Sequence, residues 1–69
     1  MKLHENLLAL RKKKGLTQTD VASKIGIDPR TYQNYEYGGR IPTLMAAVAL
    51  ADLYNVSLDT LIGREWGKT

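Results

Sequence analysis

The sequence predicts an all-α fold, a compact domain of five short helices. Apolar residues recur at spacings of three and four, which is the period of a helix with one buried face. No stretch alternates apolar and polar residues as a half-buried strand would, and runs of β-branched residues are absent from the sequence. The 69 residues are enough for one small domain and too few for two.

The first predicted helix covers residues 3 to 14. Three leucines form its apolar stripe at helical spacing, namely Leu3, Leu7 and Leu10. Its last turn is the basic run RKKK, and Gly15 ends it.

A capping box opens the second predicted helix. Thr17 is placed to cap the first turn, with Asp20 at the third helical position, where Glu or Gln is more usual. A short apolar face follows, made of Val21, Ala22 and Ile25. Gly26 supplies the left-handed residue that ends this helix after about two turns.

The third predicted helix has Asp28 as its N-cap and Pro29 at its first position, and it runs to about Tyr37. Tyr32 and Tyr35 are three residues apart, so both rings would point inward. The outer faces carry mostly polar residues, namely Arg30, Thr31, Gln33, Asn34 and Tyr37. Two glycines at 38 and 39 stop the helix.

Two further helices complete the predicted domain. Pro42 keeps the chain extended until Thr43 caps the fourth helix, and the fifth begins at Ser57. We expect residues 1–63 to form the domain and residues 64–69 to form a frayed tail.

The composition is ordinary for a globular protein, with 43% apolar and 25% charged residues. The chain has no cysteine, which fits a reducing cytosol, although chance is an alternative explanation. Its first residues lack the apolar segment of a signal peptide, and the longest apolar run, at 44–51, is far shorter than the roughly 20 residues that span a bilayer. We therefore expect a cytoplasmic protein that does not contact membranes.

Positive charge is concentrated in the first 40 residues. The net charge is +3 and the isoelectric point is near 9.4, values that favour polyanionic partners. The basic residues of this region include RKKK at 11–14, Lys24, Arg30 and Arg40. A solvated face on a small domain is the alternative interpretation.

Catalytic chemistry has few candidates in this sequence. His4 is the only histidine, and we expect it to be a surface residue. Three aspartates are explained as caps or first-turn charges, namely Asp20, Asp28 and Asp59. The Gly38-Gly39 pair follows a helix and lacks the Lys-Ser or Lys-Thr of a phosphate-binding loop. We predict that the chain is not an enzyme and needs no cofactor or metal.

The second and third helices, at about 17–37, match a helix-turn-helix, whose second helix lies in the DNA major groove. This unit needs a small residue where the helices cross, which Ala22 supplies, and a turn residue that tolerates positive φ, which Gly26 supplies. It also needs apolar anchors, and the candidates are Val21, Ile25, Ile27, Tyr32 and Tyr35. A chance helical hairpin is the alternative.

Three stretches resemble the phage-repressor and Xre/Cro-like helix-turn-helix regulators, whose fold is the lambda repressor-like domain. They are LRKKKGLTQTDVASKIGI, YEYGGRIP and LADLYNVSLDTLI, within residues 7 to 62. The resemblance implies five helices in a compact, usually dimeric domain that binds double-stranded operator DNA and controls transcription.

The resemblance also implies individual DNA contacts. Arg30, Gln33 and Asn34 would face base edges, where Arg pairs with guanine and an amide pairs with adenine. Gln18 would hold a DNA phosphate. Tyr37 and Arg40, in the loop after the recognition helix, would contact the DNA backbone. Pro29 departs from the family pattern, since many relatives carry a polar residue there, so one base contact is expected to be missing or replaced by an apolar contact.

A partly buried ion pair between Arg11 and Glu36 is a further implication of the resemblance. It would join the first helix to the end of the third. Both residues lie beside apolar faces in the sequence, and each charge would be expensive to bury alone. The alternative is that both lie in solvent.

The fourth helix predicts a homodimer, because LMAAVALADLY is apolar almost all round. Several residues are expected to be surplus to the core and to form a self-complementary patch, namely Met45, Ala46, Ala49, Leu53, Ile62 and Trp66. Alternatively, the alanines face solvent and Trp66 folds back on its own domain.

These observations together predict a sequence-specific DNA-binding regulator, most simply a repressor that binds an inverted-repeat operator as a homodimer. Two alternatives remain open. The protein could be the antitoxin of a toxin pair, with the toxin as its partner, or a protein-interaction module of the same fold that does not bind DNA. A protein antagonist is a further possible partner.

Overall fold

The computed structural model describes residues 2–63, and this part of the chain contains five α-helices and no strand. In chain order they are α1 (Leu3–Lys14), α2 (Gln18–Ile25), α3 (Pro29–Tyr37), α4 (Leu44–Tyr54) and α5 (Leu58–Ile62). The predicted all-α fold is confirmed. The predicted tail, including Trp66, lies outside the described residues.

Side-chain caps fix where four of the helices begin. Thr17 Oγ1 accepts a hydrogen bond from the Asp20 N–H at 3.0 Å, and Asp20 Oδ2 accepts one from the Thr17 N–H at 3.0 Å, which completes the predicted capping box. Asp28 caps α3, with Pro29 in the first turn, and Thr43 and Ser57 cap α4 and α5. The predicted caps are therefore present.

The end of α4 was not predicted from the sequence. Asn55 ends this helix in the left-handed conformation with φ 56°, a geometry that asparagine tolerates better than most residues. Its backbone N–H donates to carbonyls in the last turn of α4, so the chain can turn towards α5.

One core joins all five helices. Its fully buried large side chains are Leu7, Val21, Tyr32, Leu50 and Leu61. Helix α2 packs against α3 and α4, and α1 packs against α3, α4 and α5. Ala22 is fully buried, as expected for the small residue at which α2 crosses α3. The core therefore packs against one side of α3, the side that carries Tyr32 and Tyr35.

The prediction that several residues are surplus to the core is wrong for three of them. Ala46, Leu53 and Ile62 are partly buried and pack against the core. Ala46 and Leu53 lie on α4, which contacts α1, α2 and α5, so more than one of its sides is covered. Ile62 lies on α5, which packs against α1 and α4.

Four exposed apolar residues lie on α4 or just before it, namely Ile41, Leu44, Met45 and Val48. We call this set the α4 ridge. Ile41, Leu44 and Met45 are 73%, 72% and 76% exposed. Of these four, the sequence analysis had identified only Met45. None of the helices in residues 2–63 combines the length and apolar content needed to cross a membrane.

Candidate nucleic-acid interface

Helix α3 has one buried face and one outward face. Tyr32, Tyr35 and Glu36 are buried, while the outward positions, at helical spacing on the opposite side, are Arg30, Gln33, Asn34 and Tyr37. Arg30 and Tyr37 are exposed, and Gln33 and Asn34 are half-buried. The helix therefore presents its guanidinium and amide groups to one side, away from the core.

The aromatic residues of the buried face hold α3 in place. The Tyr32 and Tyr35 rings meet edge to face, with centroids 6.4 Å apart and an interplanar angle of 80°. The Tyr32 hydroxyl also lies 2.7 Å from that of Tyr54 on α4. These contacts restrict how α3 can rotate, and so they fix the direction of its outward side chains.

The start of α3 is organised by Asp28, whose carboxylate accepts a hydrogen bond from the Arg30 N–H at 2.9 Å. The guanidinium of Arg30 pairs with no carboxylate among residues 2–63. Its donors are therefore available to an external acceptor, and a planar guanidinium matches a guanine edge or a phosphate.

The loop after α3 folds back on the helix. Gly38 adopts φ 81°, which a side chain would make strained. The Asn34 carbonyl accepts hydrogen bonds from the Gly39 N–H at 2.9 Å and the Arg40 N–H at 3.3 Å. This turn places exposed Arg40 beside the end of α3, close in the chain to Tyr37.

The side chains of Arg11 and Glu36 form an ion pair between α1 and α3. Arg11 Nε donates to Glu36 Oε2 at 2.6 Å, and Nη2 donates to Oε1 at 3.1 Å. Arg11 Nη1 also donates to the Leu16 carbonyl at 2.9 Å. The Arg11 side chain is 14% exposed and that of Glu36 is 2% exposed. This two-point contact fixes the distance between the end of α1 and the end of α3.

Gln18 makes a contact that the sequence analysis missed. Its Nε2 donates to Glu36 Oε1 at 3.1 Å, so the first residue of α2 joins the ion pair. A primary amide carries two N–H donors and a carbonyl acceptor. The half-buried side chain therefore retains hydrogen-bonding capacity for an external group, such as the predicted phosphate.

The ion pair is held in its charged form. Burial opposes ionisation of Glu36, but hydrogen bonds from Arg11, Tyr32 and Gln18 outweigh it, so its pKa lies below the ordinary value. The hydrogen bond to Glu36 raises the pKa of Arg11. Both groups are consequently charged at neutral pH.

The other basic residues of α1 do not share this contact. Lys12, Lys13 and Lys14 are exposed in its last turn. Arg11 points to Glu36 instead, so the RKKK run divides into one structural arginine and three solvated lysines.

Residues 7–61 match the helix-turn-helix family HTH_3. The chain belongs to that family. The family match covers all of α2 and α3 and reaches into α5. The predicted family resemblance is therefore confirmed.

Two helix-turn-helix relatives illustrate the similarity. The chain is 44% identical over 61 residues to the HTH-type transcriptional regulator AnsR of Bacillus subtilis, covering 88% of this chain and 53% of that protein. It is 41% identical over 64 residues to the cryptic phage CTXphi transcriptional repressor RstR of Vibrio cholerae, covering 93% of this chain and 57% of that one. The chain thus spans about half the length of these curated relatives.

A solved structure shares the helix-turn-helix fold. The crystal structure of a transcriptional regulator from Listeria innocua superimposes with a TM-score of 0.84 at 29% identity, covering 96% of this chain and 64% of that one. The names of all three proteins are those of transcription regulators, in agreement with the prediction that this chain is a regulator rather than an enzyme.

Proposed function

We propose that this chain is a sequence-specific DNA-binding transcriptional regulator, with residues 1–63 as its DNA-binding domain. Helix α3 would enter the major groove, and the protein would repress by occupying a promoter. One observation carries the proposal: the outward face of α3 holds Arg30, Gln33 and Asn34, while tyrosines fasten the opposite face to the core. A helix of this kind fits the major groove of B-DNA.

The chemistry of the outward face suits base recognition. The Arg30 guanidinium can donate two hydrogen bonds to guanine O6 and N7. The Asn34 amide, or that of Gln33, can donate to and accept from adenine. Each such contact contributes about 1–3 kcal/mol of discrimination against the wrong base. Pro29 lies one position before Arg30 and would offer apolar contact to a thymine methyl.

The proposed backbone contacts surround this face. Gln18 lies at the start of α2, and Tyr37 and Arg40 lie at the far end of α3. Phosphate contacts set the register of a protein on its site without reading sequence. The exposed lysines of α1 would add attraction to any duplex and make binding more dependent on salt.

We further propose that the regulator is a homodimer on an inverted-repeat operator. A single helix-turn-helix reads only a few base pairs, and two-fold symmetry doubles the site. The exposed α4 ridge, which includes Met45, offers an apolar surface suited to pairing with the same surface of a second copy. Ala49 is half-buried and could contribute at its edge, whereas Ile62 is partly engaged by the core.

Selection of bound sequences from random duplex DNA tests the DNA-binding proposal. The wild type is expected to enrich an inverted repeat, and Arg30→Ala or Asn34→Ala to lose enrichment at the bases that each residue reads. Arg30→Lys is the matched control, because it keeps the positive charge but loses the bidentate fork. It should retain salt-dependent binding to duplex DNA while losing discrimination. No enrichment by the wild type would favour an interaction module that does not bind DNA.

Sedimentation equilibrium tests the dimer. Met45→Glu and Leu44→Glu are expected to give monomers because they place charge in the ridge. Leu58→Glu is the control, since Leu58 is an exposed leucine on α5, outside the ridge. If both ridge variants remain dimeric, the α4 ridge is not the dimer interface.

A further inference from the structure

A small pocket of about 80 Å³ lies between the start of α1 and the loop that follows α3. Its lining residues are Leu3, His4, Tyr35, Gly38, Arg40 and Ile41. Two of them, His4 and Arg40, can carry positive charge and come from different elements. The function proposed above assigns a role to Arg40 and none to His4.

The His4 ring is placed against the end of the recognition helix. A Cβ at Gly38 would lie 3.4 Å from Cγ and 3.5 Å from Nδ1 of His4, so the ring is in van der Waals range of this glycine. Gly38 is the first residue after α3, one position beyond Tyr37. The imidazole therefore lies beside the C-terminal end of α3.

The groups around His4 leave its charge without a counterion. The loop after α3 contributes Arg40 to the pocket, and α3 contributes the phenol of Tyr35. Lys2 and Glu5 are the charged residues next to His4 in the chain. No carboxylate among the described residues is within ion-pair distance of the ring. Protonated His4 and Arg40 would therefore face one pocket as two like charges, an arrangement that an anion between them would relieve.

We propose that His4 and Arg40 together bind one phosphate of the DNA backbone beside the end of α3, and that binding strengthens when His4 is protonated. The proposal rests on the DNA-binding function proposed above. Histidine changes charge between about pH 5 and pH 8, whereas the backbone phosphate stays anionic. Protonation adds a cation at the site, so affinity for DNA is expected to rise as pH falls.

The location favours a DNA phosphate as the anion. The backbone strands border the major groove, so a helix lying in that groove brings its flanking residues close to phosphates. The His4–Arg40 pocket lies at the C-terminal end of α3, beside the loop that carries Arg40, and both charged residues are exposed to solvent. Its volume exceeds what one water molecule needs, so a phosphate oxygen can enter.

Fluorescence anisotropy with a labelled duplex recovered from the selection tests the proposal. Affinity is measured from about pH 5.5 to pH 8 at constant ionic strength, a range over which histidine titrates. The wild type is expected to bind several-fold more tightly at the acidic end, and the slope of log affinity against log salt to steepen by about 0.9 there. His4→Gln should be flat across this range, and because the chain has one histidine, no other imidazole can supply the effect.

Two further variants separate the components of the site. His4→Lys carries a permanent charge, so it should bind tightly at both ends of the range without pH dependence. Arg40→Gln should weaken binding and reduce the salt slope by about 0.9 at every pH. Melting curves for each variant establish that the exposed substitutions leave the fold intact.

The outcomes distinguish this proposal from the one on which it rests. If the wild type selects no duplex, both proposals fail. If it binds DNA with the same affinity at all pH values, or if His4→Gln keeps the wild-type pH dependence, only the His4 site is overturned.

Discussion

The hydroxyl groups of Tyr32 and Tyr54 lie 2.7 Å apart inside the core and join α3 to α4. Both residues are buried, and burial raises the pKa of each phenol, so neither ionises at neutral pH. One hydroxyl donates and the other accepts. The orientation of α3 thus depends in part on a neutral hydrogen bond in the core.

Removing one of these hydroxyls is expected to destabilise the fold. Tyr32→Phe or Tyr54→Phe leaves the other hydroxyl buried without this partner, at a cost of about 1–3 kcal/mol. The double variant should lose less than the sum of the two single losses, because no hydroxyl of the pair then remains to be satisfied. Urea denaturation of all four proteins measures this coupling. Strictly additive losses would show that the two hydroxyls do not depend on each other.

Glu36→Gln is expected to lower the free energy of unfolding by about 3 kcal/mol, because it leaves the Arg11 guanidinium partly buried without its carboxylate. Asp52→Asn is the control: Asp52 is exposed, and its loss should change stability by less than about 0.5 kcal/mol. Replacing Arg11 and Glu36 together with Met and Leu should recover much of the loss. Chemical denaturation measures these differences, and an effect of Glu36→Gln as small as the control would contradict the role of the pair.

Stability is expected to fall in acid through Glu36. Its pKa in the folded protein lies below the ordinary value of 4.5, so the unfolded chain binds the proton more readily. The contribution is therefore fully present above about pH 5 and is lost as pH falls through the lower folded pKa. Glu36→Gln should flatten this acid limb in thermal melts recorded against pH.

Asp20 is the comparison for the acid limb. The backbone hydrogen bond from Thr17 lowers its pKa, and it is exposed. Asp20→Asn should leave most of the Glu36-dependent loss in place. If Asp20→Asn flattens the acid limb while Glu36→Gln does not, the assignment to Glu36 is incorrect.

The α2 capping box is expected to contribute measurably to stability. Thr17→Ala removes the acceptor for the Asp20 N–H and should cost about 1 kcal/mol. Thr19→Ala is a matched change two residues further along, at an exposed helical site where alanine is favourable, so it should be neutral or slightly stabilising. If thermal melting shows equal losses of stability for the two variants, the Thr17 cap does not contribute to stability.

Helix boundaries were the part most readily predicted. The start of α2 depends on Thr17 and Asp20, and the start of α3 on Asp28 and Pro29, all within a few residues of the helices they begin. The two faces of α3 could also be assigned, because its tyrosines and polar residues alternate with the helical period. The proposed base contacts of Arg30, Gln33 and Asn34 come from the family resemblance, and all three residues lie on that outward face.

The buried face of α4 could not be predicted from the sequence. Its residues are apolar on almost every side, so no periodicity marks the buried face, and Ala46 and Leu53 were wrongly expected to be surplus. Which sides of α4 are covered depends on how α1, α2 and α5 pack against it, and the residues of α4 alone do not specify that packing.

The sequence by itself determined the five helices, the N-terminal caps of four of them and the outward residues of α3. These features depend on hydrogen bonds and side-chain spacings between near neighbours in the chain. Only the tertiary structure decided that Gln18 joins the Arg11–Glu36 pair, that Tyr32 meets Tyr54, and that His4 lies beside Gly38. Those contacts join residues at least 18 positions apart, and their geometry exists only once the helices have packed around a common core.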